Sequence, residues 1–291
     1  MYYKIPKRFQ REIILHALKN TQEHLLVDGA SSILGVFGPP GEGKTVMCRQ
    51  ILESLGAKVH IMSVVDFESE DAGKPAERLK EKYSLAKKEI YNSDNNISVL
   101  IIDDADAALG NWGDDVQYTV NTQIVVGELM QLATNEKNRK VPIIITGNDF
   151  SKIYYPLRRS GRMTSFFWEP NEQERLDSVQ MIFDWLTADE CQTIIKISEQ
   201  FAISESLVRP PISFYASIKN KLLDDDLWQS VQEKRRNCNN LSYIKQIQLP
   251  KYNKYSCNDV VDLCNQELLV IKKGNIDYSG GKTNGKNSNQ D

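Results

Sequence analysis

Residues Gly38-Pro39-Pro40-Gly41-Glu42-Gly43-Lys44-Thr45 match the phosphate-loop pattern at every fixed position. The chemistry needs those types at that spacing. Glycines let the main chain wrap phosphate oxygens, while its amides and the N-terminus of a following helix supply positive potential. Lys44 then reaches the terminal phosphates and Thr45 offers a hydroxyl to Mg2+. Downstream, the apolar run Val99 to Ile102 delivers Asp103-Asp104-Ala105-Asp106. In such a place Asp103 joins Thr45 as a magnesium ligand and Asp104 polarises an attacking water, with Asp106 nearby. Taken alone, the acids read equally well as a solvated strand cap; a phosphate loop upstream favours the catalytic reading. A third apolar run, Val141 to Ile145, leads through Thr146 and Gly147 to Asn148, an amide placed to orient that water. An Asn after Gly is also common in turns for conformational reasons alone. The basic segment Arg158-Arg159-Ser160-Gly161-Arg162 comes next. Arginine's planar, permanently charged fork suits a developing phosphoryl charge, although a basic run is more often a solvated face.

These residues need a scaffold that brings loop ends together, and the hydrophobic pattern supplies one. Short apolar strands are expected at 33–37, 59–62, 98–102, 141–145 and 164–168. Between them lie helical patterns at 45–55, stopped by Gly56, at 74–91, and at 118–134. Ala76, Leu79, Tyr83, Ala86 and Ile90 share one face of the second. A leading helix within 5–26 carries Phe9, Ile13, Ala17 and Leu18 at helical spacing. Nearly continuous apolar strands joined by helices mean a parallel sheet covered on both faces. The fold class is therefore α/β: a five-stranded parallel sheet domain followed by a small α-helical domain. After Pro170 only helical patterns remain, with capping boxes at Asn171/Glu174 and Thr187/Glu190 and with Phe214, Ile218 and Leu222 four apart. Asp224, Asp225 and Asp226 read as the wet end of a helix, and one more short helix is expected at 260–269. The organisation is 1–170 for the nucleotide-binding domain, 171–235 for a helical lid, 236–273 for a C-terminal helical extension, and 274–291 for a flexible Gly/Asn/Ser/Lys-rich tail.

Composition narrows the partners. The 291 residues are 41% hydrophobic and 26% charged, with a formal net charge of -3, as in ordinary globular proteins. That acidity argues against broad nucleic-acid binding, which rests on clustered Lys and Arg. No apolar run is long enough to span a bilayer, and the segment Met1 to Arg8 lacks the apolar core of a secretory signal, so a cytoplasmic protein with no membrane partner is expected. Five cysteines without paired short spacing fit reduced thiols better than a zinc site or disulfide framework.

From about residue 33 to 228 the chain resembles the Rubisco activases, AAA+ proteins that use ATP to pull inhibitory sugar phosphates out of Rubisco. The likeness is carried by Asp71-Ala72-Gly73-Lys74-Pro75-Ala76, by Gln117-Tyr118-Thr119-Val120-Asn121-Thr122-Gln123, and by Val141 to Phe150 with Tyr155-Pro156-Leu157 and Gly161-Arg162-Met163. The resemblance implies a P-loop AAA+ ATP hydrolase with ATP and Mg2+ as cofactors and Rubisco as partner. It further implies a homo-oligomeric, hexameric ring with arginine fingers at Arg159 and Arg162, and substrate-gripping loops near 63–69 and 109–115. Carboxysome association is a further implication. A nucleotide-sensing Arg of the lid helix is represented by Lys219. Departures from the activase pattern lie at Asp103-Asp104-Ala105-Asp106, at Ser63-Val64-Val65-Asp66-Phe67-Glu68-Ser69 and at Ala108-Leu109-Gly110-Asn111. They keep open an alternative: a nucleotide-regulated, activase-like protein that binds or organises Rubisco without reactivating it.

Overall fold

The computed structural model describes residues 5–27, 29–92, 96–109, 120–133, 140–236, 244–245, 247–248 and 251–274. Expectations for 110–115, for 118–119, for residue 134 and for the tail from 275 lie outside the described residues.

The chain divides into two compact units: one of residues 1–39 with 43–169, the other of 40–42 with 170–291. In the first unit, helix α1 (Lys7–Thr21) precedes strand β1 (Ile33–Phe37), helix α2 (Lys44–Ser54), β2 (Lys58–Met62), α3 (Val64–Phe67) and α4 (Lys74–Tyr91). Then come β3 (Ser98–Ile102), α5 (Ala105–Leu109), α6 (Val120–Ala133), β4 (Ile143–Gly147) and β5 (Met163–Phe167). The strands form one parallel sheet in the order β2-β3-β4-β1-β5. The central strands β1, β3 and β4 alternate their side chains between two cores. Leu100, Ile102, Ile143 and Ile145 meet Leu79, Tyr83 and Leu129 on one face, whereas Val99, Ile101, Ile144 and Leu34 meet Phe9, Ile13, Met47 and Leu52 on the other. Each fully buried side chain of this kind is worth about 1.5–3 kcal/mol relative to exposure.

β4 begins two residues later than the apolar pattern suggests. Pro142 has no N–H to give the ladder, and its carbonyl instead accepts the Leu100 N–H at 3.0 Å. α1 ends at Thr21, and its buried face holds His16, Asn20 and Thr21, while Leu18 is only half-buried. Those polar groups are satisfied internally: His16 Nε2 lies 3.1 Å from the Ile143 carbonyl and Asn20 Nδ2 donates to the His16 and Ser31 carbonyls.

The second unit holds α7 (Glu172–Ile182), α8 (Ala188–Ser204), α9 (Ile212–Lys221), α10 (Asp224–Arg236) and α11 (Cys257–Lys273). Both capping boxes close, at Asn171/Glu174 and Thr187/Glu190, and two more occur at Ser63/Asp66 and Ser256/Asp259. Asp224, Asp225 and Asp226 open α10 rather than end a helix. Carboxylates are favoured there by the positive end of the helix dipole. α11 is longer than its apolar core suggested and buries Val260, Cys264, Leu268 and Ile271 against α8 and α9.

Candidate functional site

Because the strands are parallel, their C-terminal ends share one edge, and the loops after β1, β3 and β4 meet there. The loop after β1 approaches its neighbour so closely that only glycine fits at its start. Gly38 has φ 150, and a Cβ on it would stand 1.9 Å from the Trp168 carbonyl oxygen. Lys44, the first residue of α2, is 7% exposed, and its ammonium donates to the carbonyls of Gly38 and Pro39, each at 2.8 Å, and to Asn148 Oδ1 at 2.9 Å. Three oxygen acceptors already surround it, which is the environment a phosphate would reproduce.

Thr45 Oγ1 donates to Asp103 Oδ1 at 2.5 Å, and Thr146 Oγ1 donates to the same oxygen at 2.6 Å. Each hydroxyl has one hydrogen, so the 3.2 Å approach of the two threonine oxygens is proximity and not a further bond. A hydroxyl beside a carboxylate is an all-oxygen donor set, which suits a hard cation such as Mg2+. Asp104 turns left-handed, φ 49, and its N–H points to Asp103 Oδ1 and Thr146 Oγ1 at 3.1 and 3.3 Å. Partial burial, then the negative charges of Asp103 and Asp106, hold the Asp104 carboxyl above the usual range, against a smaller opposing pull from Lys44.

Thr146 went unread as a site residue in the sequence, and Asp106 was noted there only as lying near the other acids. Thr146 is fully buried beneath the acids, and its signal is a hydroxyl inside an otherwise aliphatic strand. Asp106 is 4% exposed, and its Oδ2 accepts the backbone N–H of Asn148 at 3.0 Å and of Asp149 at 2.9 Å. It fixes the turn that carries Asn148.

The other candidates have partners of their own. Arg162 is half-buried and donates to the Pro156 carbonyl at 2.8 Å, whereas Arg159 is exposed with its guanidinium 5.4 Å from the Tyr155 ring centroid. Pro40, Gly41 and Glu42 group with the helical unit. Lys219, in α9, is 7% exposed; its ammonium sits 3.1 Å from Asp184 Oδ1 and over the stacked rings of Trp185 and Tyr252, at 5.3 and 4.8 Å. Its charge is thus engaged by its own unit. The segment 63–69 contains the short helix α3, closed by its capping box.

The family described as "ATPase family associated with various cellular activities (AAA)" matches residues 34–171. The chain is 35% identical over 240 residues to a ribulose bisphosphate carboxylase/oxygenase activase of Nostoc sp., covering 77% of this chain and 55% of that protein. It is 35% identical over 243 residues to the activase of Anabaena sp., covering 78% and 55%, and 33% identical over 237 residues to chloroplastic activase 2 of Nicotiana tabacum, covering 77% and 52%. The chain thus spans about half the length of the curated relatives it matches. Among the described residues no helix is long and apolar enough to cross a membrane. Residues 34–171 form a domain of the AAA ATPase family, and the chain is similar to the Rubisco activases.

Proposed function

We propose that this chain hydrolyses ATP and uses the cycle to remodel Rubisco, releasing inhibitory sugar phosphates from it. The observation that carries the reading is the meeting of Lys44, Thr45, Asp103 and Asn148 within hydrogen-bond reach at one edge of the sheet. Lys44 and the non-proline main-chain N–H groups of residues 38 to 45 hold the phosphates. Thr45 and Asp103 hold Mg2+, which when bound offsets phosphate charge. Asp104 accepts the proton of the attacking water, and its raised proton affinity makes it a stronger base than an ordinary surface carboxylate. Asn148 orients that water while Asp106 keeps the turn in place. Arg159, exposed, and Arg162 act from one subunit on the nucleotide of the next in a hexameric ring. Lys219 is left out of this set because Asp184 and two aromatic rings already engage its ammonium.

The purified chain should hydrolyse ATP and, with Rubisco locked by its sugar bisphosphate, restore carboxylation in an ATP-dependent way that Lys44→Ala abolishes. Turnover without recovery would favour the alternative, a nucleotide-regulated protein that binds or organises Rubisco, and cosedimentation would test it. No affinity for Mg-ATP at all would end both readings.

A further inference from the structure

An anion-binding loop with a carboxylate in it is an electrostatic contradiction, and Glu42 is that carboxylate. It lies between Gly41 and Gly43, both at φ 75, and is 6% exposed. Its Oε1 accepts Arg175 Nη2 of α7 at 2.8 Å, with both side chains almost wholly buried. Arg175 also donates Nη1 to the Pro210 carbonyl at 2.8 Å, and its Nε lies 3.9 Å from Glu199 Oε1 of α8, an oxygen that accepts from Arg209 Nε at 2.7 Å. Beside the pair, the Gly41 carbonyl accepts the Ser213 N–H at 3.0 Å, and a Cβ on Gly41 would meet Ser213 Oγ at 2.5 Å. The middle of the phosphate loop is therefore packed on helical-unit residues at its backbone and at its one charge.

We propose that Arg175 is a positioning residue for the nucleoside triphosphate: it neutralises Glu42 and holds the centre of the phosphate loop in its binding shape. The inference rests on the nucleotide-binding reading above. Burial raises the proton affinity of Glu42, and Arg175, with smaller help from the Ile212 N–H and the Arg209 charge, opposes that rise. Glu199, behind Arg175, is a second carboxylate of this cluster and pairs with Arg209. Without Arg175 the loop carries a carboxylate that has lost its main counter-charge; ionised, it repels phosphate, and protonated at lower pH it does not.

The test uses the full chain and titration with a fluorescent Mg-ATP analogue across pH 6 to 8.5, each variant expressed as a ratio to wild type at the same pH. Arg175→Met should bind at least tenfold more weakly at the alkaline end, with the deficit shrinking as pH falls. Adding Glu42→Gln to Arg175→Met should restore most of the affinity and flatten the pH dependence. Arg175→Lys should keep most of the affinity, and it remains informative if Arg175→Met does not fold. Wild-type affinity in Arg175→Met would overturn the proposal, as would a deficit that is equal at every pH and unrepaired by Glu42→Gln. A wild-type chain that fails to bind the analogue refutes the nucleotide reading itself, and that result is distinct from the variant outcomes.

Discussion

Asp106→Asn tests whether the turn after β4 is held from below. In the folded chain both backbone donors of that turn, Asn148 N–H and Asp149 N–H, converge on Asp106 Oδ2, while Oδ1 is buried with no donor in reach among the described residues. An asparagine with its oxygen in the Oδ2 position keeps both bonds as neutral ones, each about 1 kcal/mol weaker than its charge-assisted predecessor. It also puts a buried NH2 group in place of Oδ1, which costs about 1–3 kcal/mol unless it finds an acceptor. Set against the relief of no longer burying a charge, the net loss is about 3 kcal/mol, or roughly 6–12 °C in Tm for a unit of this size. Function should suffer separately. Asn148 Oδ1 accepts from Lys44 at 2.9 Å, so a loosened turn displaces the amide that orients water, and ATP turnover should drop about tenfold with nucleotide affinity little changed. Thermal melts and steady-state turnover at a temperature where both proteins are folded would decide. A variant with wild-type Tm, or one that melts early but turns over at the wild-type rate, would refute the reasoning.

His16 carries a pH prediction: burial lowers its pKa from 6.5 to about 4, so the unfolded chain takes up a proton first as pH falls. Its contribution to stability is complete above about pH 6.5 and drains away toward pH 4, by about 3 kcal/mol in total, and His16→Gln should flatten that slope in urea unfolding series. Gly38→Ala should abolish nucleotide binding, measured by titration, because its Cβ would overlap the Trp168 carbonyl; unchanged affinity would dismiss the close-approach argument. Lys219→Ala should destabilise the helical unit by about 1–2 kcal/mol, read by chemical unfolding, through loss of its cation–π contacts and its pairing with Asp184.

What the sequence made legible and what it hid differ by the range of the interaction involved. β1, β3 and α4 were readable because aliphatic periodicity is a local signal and burial followed it: Ala76, Leu79, Tyr83, Ala86 and Ile90 all face the core. The start of β4 was misplaced by two residues because Pro142 is apolar by pattern yet cannot donate to a ladder. The polar half of the buried face of α1 was hidden, since His16 and Asn20 count as surface residues until their partners, 127 and 11 residues away, are known. Thr146 was missed, and Asp106 was given no role, for the same reason: their roles lie in hydrogen bonds to Asp103 and to the Asn148 backbone, which no spacing rule encodes.

The Glu42–Arg175 pair marks the boundary between the two kinds of knowledge. Each partner is anomalous locally: Glu42 puts a negative charge into a loop that attracts anions, and Arg175 shares the buried face of α7 with Val179 and Ile182, a position where a cation is costly. Either anomaly by itself is readable as a residue that must find an opposite charge. Only the fold says that the two, 133 residues apart, answer each other. It follows that a charge placed against its local context, in a chain whose other local rules agree, is best read as half of a long-range contact whose other half should be sought among equally misplaced residues of opposite sign.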